Sequence, residues 1–402
     1  MPSRGDDIGK PNSDFPDRRV TEYPEEEHLL LKLGVKADGW SAHGFIHANS
    51  LVTETLRIDS RLNVVENEAF DLGTNAQREW DLGNGAHVLA GVDYFGRRDV
   101  SSEELEERFS TGELTFLNTL DAATLDELSA YGSVRGSLGA TSFQGGSRVT
   151  WQQQKNGELA SRSDSTWTGF LGMVRPVGAG MEMTANVGTG LRFPSLSERF
   201  FTGSTGRGGT LGNPDLEPER SLNVDLGLRW FGSKTFVSAQ VFRLEIDDYI
   251  ERVEVEEDLL TFVNLTSGSI EGIEIEGFVQ MSPRWMLNGS GHVLSGESAQ
   301  GEPLADISPD RLQLGLSYRD DRWRSKLRWQ YRASKDDPGS GEIEIGSAHV
   351  VSASVSFEAK PGWRWTLRAR NLLDEEYFAS SDDKASVAPG RSLGVGLSWR
   401  AK

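Results

Sequence analysis

One pattern constrains this chain more than any other: apolar and polar residues alternate with a period of two, over and over, along most of its length. In "SLNVDLGLRW" Leu222, Val224, Leu226, Leu228 and Trp230 fall on one face, with Ser221, Asn223, Asp225, Gly227 and Arg229 on the other. "RLQLGLSYR" and "WRWTLRAR" do the same with leucine, tryptophan and tyrosine against arginine, glutamine and threonine, and "VSASVSF" and "SLGVGLSW" repeat it with serine and glycine. Successive side chains of a strand point to opposite faces, whereas a helix would space its apolar residues three and four apart. Segments of about ten residues recur roughly every 20, separated by Gly-, Asp-, Ser- and Pro-rich turns, which predicts roughly 16 to 20 antiparallel strands. Only "SSEELEERFS" has a helical look, and an acidic loop fits it equally well. Residues 1–20 read as a polar, irregular tail, with regular strands beginning near "EEHLLLKLGV"; residues 21–402 read as one all-β domain.

Alternation alone fits both a soluble sandwich and a membrane barrel. Two features favour the barrel. So many long strands in one sheet leave exposed edges, which closure removes. Aromatic residues also gather near strand ends (Trp230, Tyr318, Tyr331, Trp363, Trp399), as in the girdles at a bilayer interface. In a barrel the apolar face meets lipid and the polar face lines a lumen, so regular alternation coexists with a hydrophobic content of only 37%.

The composition removes several other classes. A net charge of −19 argues against nucleic acid, whose phosphates need clustered cations. The absence of cysteine excludes disulfides and thiolate metal sites. No run approaches the ~18 apolar residues of a helical membrane span, and "MPSRGDDIGKPNSDFPDRR" has no apolar signal-peptide core, which fits a cytosolic, mature or truncated chain.

"GLRFPSLSERFF", then "GNPDLEPERSLNVDLGLRW", resembles the paired boxes of TonB-dependent outer-membrane receptors. In them a strand ends at R-x-P-x-x-x-E-x-F, a long extracellular loop follows, and N-P-x-L-x-P-E leads into the next strand. "ARNLLDEEYFASSDDKASVAPGRSLGVGLSW" is similar to that family's closing segment, and "NLTSGSIEGIEIEGFVQ" to the strand before its last hairpins. The matching positions are Arg192, Pro194, Glu198, Asn213, Pro214, Glu217, Pro218 and Glu219, then Asn371, Asp374, Tyr377, Pro389, Gly390 and Arg391. Pro194 removes a ladder donor where the strand must end. The glycines of "GSTGRGG" suit positive φ. Arg192, Glu198, Glu217 and Arg220 are placed for ion pairs at a rim. These motifs organise a loop and are not expected to contact ligand. The resemblance implies a 22-stranded barrel with a plug domain; neither a plug nor all the strands is visible here, so an incomplete barrel portion is expected.

The remaining candidates lead nowhere. In "HGFIH" His43 and His47 share a face but stand about 13 Å apart along a strand. No histidine lies between Arg192 and Ser221, where the family's haem receptors carry one. "GSTGRGGT" lacks the lysine of a phosphate loop. Asp247, Asp248 and "VEVEED" at 253–258 read as solvated loops, and no nucleophile elbow or catalytic triad emerges. Arg328, Arg364, Arg368 and Arg370 either offset acidic partners inside a barrel or face a passing anion.

The expectation is therefore a non-enzymatic barrel of the Gram-negative outer membrane, without metal or cofactor. The resemblance implies uptake of a scarce nutrient, foremost a ferric siderophore, with TonB engaged only through a plug domain. Its lateral partner is outer-membrane lipid. The alternatives are a passive, plugless pore and a soluble β-rich binding protein.

Overall fold

The computed structural model describes residues 2–10, 19–205, 208–256, 259–265, 267–383 and 385–400. Its strands begin with β1 (Pro2–Lys10), β2 (Arg19–Ala37), β3 (Trp40–Arg57), β4 (Arg61–Gly83), β5 (Ala86–Arg108), β6 (Glu113–Leu138) and β7 (Thr141–Lys155). Then come β8 (Arg162–Gly178), β9 (Met181–Arg192), a short helix α1 (Leu196–Phe200), β10 (Thr202–Thr205), β11 (Gly208–Leu211), β12 (Glu219–Phe231) and β13 (Thr235–Asp247). The chain continues through β14 (Ile250–Glu256), β15 (Leu259–Asn264), β16 (Ser267–Gln280), β17 (Trp285–Ser298) and β18 (Arg311–Arg319). It ends with β19 (Trp323–Arg332), β20 (Ala348–Lys360), β21 (Trp363–Arg370) and β22 (Ser392–Trp399). Eighteen of these strands belong to one sheet, while β10, β11, β15 and β14 form a small second one.

Two units divide the chain. In the first (1–172, 187–222 and 246–267) β1 to β7 pair in sequence order, each antiparallel to the next. Hairpins such as β2–β3 and β4–β5 close on Asp38–Gly39 and Asn84–Gly85, both residues of each pair having positive φ. That geometry matches the twist of the flanking strands. A strand crosses a bilayer in about 9–11 residues. β4 and β5 have 23 residues and β6 has 26, so their ends project well beyond such a span. In the second unit (173–186, 223–245 and 268–402) β16 to β22 again pair consecutively and antiparallel, with shorter strands.

Burial runs opposite to that of a soluble protein. The regularly alternating apolar residues are the exposed ones, including Leu33, Val35, Leu226 at 53% and Val395 at 74%. Asn63, Asp71, Glu104, Ser129, Thr150 and Gln154 are buried instead. The leucine face of β12 is therefore no core between two sheets. Apolar side chains left in water would forfeit about 25 cal/mol per Å², so this face requires lipid.

Two expectations change. Residues 1–20 are not irregular throughout: Pro2–Lys10 pairs with β2 from Pro2↔Leu29 to Lys10↔Thr21, and Arg4 meets both Asp6 and Glu27. Alternating charges, which read as a solvated tail, here match the acids opposite; residues 11–18 lie outside the described residues. "SSEELEERFS" is neither helix nor loop, because Ser101–Arg108 continues β5. Asn63 donates to Glu104 at 2.7 Å and to Glu106 at 3.1 Å, and Arg61 pairs with Glu106, so alternate glutamates satisfy a neighbouring strand.

Candidate functional site

The two family-like boxes converge on one construction in the first unit. Pro194 is fully buried where β9 stops, and Gln154 donates to its carbonyl at 2.6 Å. Helix α1 follows at once, fixed by a capping box. Glu198 N–H donates to Ser195 Oγ at 3.1 Å, and Ser195 N–H donates to the Glu198 carboxylate at 2.7 Å. The apolar side of the helix, Leu196 and Phe200, packs on Leu120 and Ala123 of the projecting β6.

Arg192 is the hinge of the arrangement. Its guanidinium meets both oxygens of Glu198 at 2.9 Å and reaches Glu219 at 2.6 Å; the same Glu219 oxygen accepts the N–H of Ile250 at 2.8 Å. One arginine thus ties the strand before the loop to the strand after it. Arg199 is buried, donating to Leu216 O at 2.7 Å and pairing with Asp164 at 2.8 Å.

The second box closes the return. Asn213 donates to Phe262 O at 2.9 Å and accepts from Asp215 N–H at 3.0 Å, while Asn264 clasps the Glu217 backbone at both its N–H and its carbonyl. Pro218 is buried and Pro214 half-buried beside them. Of the residues expected to form ion pairs, Arg192 and Glu198 do so. Glu217 serves through its backbone, and Glu219 takes the carboxylate role expected of it. Gly203, of the loop glycines, does not have positive φ, and neither does Gly212 of the second box. Close approach is the reason: a Cβ on Gly212 would lie 2.7 Å from the Arg199 carbonyl carbon and the Phe200 nitrogen. Gly206 and Arg207 lie outside the described residues.

A parallel construction holds the second unit's last connection. Asn371 donates to the carbonyls of Glu375 and Pro389 and accepts the Glu375 N–H. Asp374 accepts from the Arg391 backbone at 2.7 Å and side chain at 3.2 Å, Gly390 lies against it, and Tyr377 O accepts the Ala388 N–H. The same unit holds a lock that no motif announced. Glu342 is buried and receives Lys335, the Ser381 hydroxyl at 2.6 Å and the N–H groups of Gly339 (2.7 Å) and Asp306 (3.0 Å). Burial pushes its carboxyl up, but these four donors outweigh that and hold it below the ordinary range.

His47 does not pair with His43. Its Nε2 lies 3.1 Å from Nδ1 of His28 on the adjacent strand, and His28 Nε2 contacts Glu26 at 2.9 Å. On β4, Asp71 accepts from Arg97 Nε at 2.6 Å and from Arg97 Nη2 at 2.9 Å. Diagonal contacts between strands depend on register, which spacing within "HGFIH" does not reveal. Among the described residues no group of three or more His, Asp or Glu is arranged to hold a metal. Asp248 lends its carbonyl to Asn264, and 253–256 belong to β14; residues 257 and 258 lie outside the described residues.

Outward apolar faces, polar faces turned the other way and clamped long connections define a class, the outer-membrane β-barrel. Residues 12–372 match the family model for the TonB dependent receptor-like β-barrel, and the chain belongs to that family. It is 24% identical over 230 residues to the vitamin B12 transporter BtuB of Vibrio vulnificus, covering 55% of this chain and 35% of that protein. With the iron-regulated outer membrane virulence protein of Vibrio cholerae serotype O1 it shares 29% over 245 residues, 52% of this chain and 36% of the other. The chain spans about a third of the length of these relatives. Among solved structures, the copper transporter OprC superposes with a TM-score of 0.80 at 16% identity, covering 95% of this chain and 66% of that one. The ferric citrate transporter FecA gives 0.76 at 13%, covering 95% and 62%. The fold is that of transport receptors of the Gram-negative outer membrane.

Proposed function

We propose that the chain is the barrel of an active importer of a scarce, bulky nutrient, with a ferric siderophore as the first ligand to test. The observation that carries this reading is the clamp of Arg192 on Glu198 and Glu219, which presents a long structured loop from a rim, within a chain that matches the family over most of its length. Capture would fall to such loops and to the apex of a plug domain, and coupling to TonB requires that plug. Relatives carry names that include vitamin B12, haem and iron, so ligand class is the point to test. The motif residues act as clamps in this reading and contact no ligand; outer-membrane lipid surrounds the apolar face, and no chemical step is assigned.

The experiment is deletion of the gene in its own host, followed by uptake of radiolabelled iron from a panel of siderophores beside haem and cyanocobalamin. Loss of ferric-siderophore uptake, restored by the native gene and dependent on TonB, is the expected result. Uptake that persists without TonB would favour a passive pore, and loss of cyanocobalamin uptake alone would move the ligand class.

A further inference from the structure

The lipid-facing wall of the first unit holds an arginine at an outward position. On β2 the outward residues Leu29, Leu31, Leu33 and Val35 are exposed, and Leu29–Ala37 is about the length that crosses a bilayer. Ala37 pairs with Trp40 across the tight turn, and Trp40 pairs with Arg78 of β4. Arg78 therefore stands at the border of the hydrocarbon, at the short-turn end, on the face it shares with Leu72 and Ala76. The polar face of β4 is the other one, where Tyr131 donates to Gln77 at 2.9 Å and Arg135 to Glu79 at 2.8 Å. Beside the tight turns of the second unit aromatic meets aromatic instead, Trp285 opposite Tyr318 and Trp363 opposite Trp399.

The Arg78 guanidinium carbon lies 5.2 Å from the ring centre of Trp40 and 5.2 Å from that of Trp80. Indole faces attract the cation but leave its N–H donors without acceptors. Its Nε is buried and unpaired, and among the described residues the guanidinium has no ion-pair or hydrogen-bond partner. The neighbouring carboxylates are committed, Glu79 to Arg135 on the opposite face and Asp81 to the Gly83 N–H at 2.8 Å. An apolar groove of about 590 Å³ adjoins the cation, with Ala42 and Ala76 in its lining beside Val35 and Val92. Ala42 faces Ala76 just as Trp40 faces Arg78, two residues along each strand.

We propose that Arg78, Trp40, Trp80 and this groove bind one phospholipid of the periplasmic leaflet, the side on which short turns lie. The phosphodiester meets the Arg78 guanidinium, and an acyl chain lies over Ala42 and Ala76. A free anion would leave the groove empty, and a wholly apolar molecule would leave the cation unmet; an amphiphile answers both. The stacked guanidinium is held in place and offers phosphate two parallel donors. Outward neighbours on β5, Val88 and Ala90, bring no negative charge to compete. The inference rests on the apolar face meeting lipid and is independent of which nutrient the chain imports.

The test is native mass spectrometry of the full chain, folded and delipidated in detergent, titrated with phosphatidylglycerol, diacylglycerol and glycerol phosphate. Phosphatidylglycerol should bind at least about tenfold more tightly than either of the others. Arg78→Gln should lose at least about tenfold of that affinity. Ala76→Phe, which fills the groove and leaves the charge in place, should also weaken it several-fold and takes over the test if Arg78→Gln does not fold. Arg135→Gln, at a similar level on the polar face, should bind as the native chain does. Equal binding of phosphatidylglycerol and diacylglycerol would reduce Arg78 to a solvated interfacial cation and overturn the proposal. So would glycerol phosphate binding as tightly as the lipid, or affinity unchanged in Arg78→Gln and Ala76→Phe. A shift in oligomeric state in place of lost lipid adducts would make the face a contact between copies of the chain, and would overturn it too.

Discussion

Arg192 and Glu217 are both charged, both in the boxes and both near the rim, yet they do different work. Replacing Arg192 by methionine leaves Glu198 and Glu219, both mostly buried, without their cation. Hydrogen bonds to charged groups contribute about 1.5–3 kcal/mol, so Arg192→Met should cost roughly 2–3 kcal/mol in the unfolding midpoint of the detergent-solubilised barrel. Glu217→Ala, whose side chain meets nothing in the clamp, should fall within about 0.5 kcal/mol of the native chain. Equal losses would contradict the geometry. Glu342 supplies the pH test. Its carboxyl is held below the ordinary range, so its contribution to stability is present above that range and disappears as pH falls through the depressed value. Amide-exchange protection factors across 333–347, each referred to the intrinsic rate at its own pH, should be high at pH 6 and fall as pH drops below the ordinary carboxylate range of about 4, and Glu342→Gln should show low protection at both.

At the scale of elements, β12 offers the sharpest contrast. Leu226 is exposed on the apolar face, whereas Asp225 on the other face accepts from Asn186 at 2.8 Å and from Asn223 at 2.9 Å. Leu226→Arg should cost roughly 2–4 kcal/mol in a bilayer, and Asp225→Asn much less. A spin label at 226 should be relaxed by oxygen and not by a water-soluble nickel chelate; shielding from both would mean a protein interior. Helix α1 makes a different point. Five residues are too few to stand alone, and no apolar periodicity marks them. The capping box and the contact of Leu196 and Phe200 with Leu120 and Ala123 create it. The same logic turned "SSEELEERFS" from a helix candidate into a strand.

For the whole molecule, the long connection from Arg192 to Ser221 must lie outside the hydrocarbon, because irregular backbone cannot be satisfied in lipid. A cysteine at Asp215, an exposed position, should react with a membrane-impermeant maleimide on intact cells expressing the exported protein; protection would place the loop on the other side. Strand number, alternation and the two rim boxes were all legible in the sequence, since a period of two and a proline at a strand end are local facts. The use made of each residue was not. The His28–His47 contact and the seating of Arg78 against Trp40 depend on register between strands, while the close approach at Gly212 and the four donors on Glu342 depend on how connections distant in sequence fold together. A one-residue slip would send the strand side chains to the opposite face. Alternation within each segment makes long two-faced strands; pairing between strands selects which polar groups meet and which go without a partner.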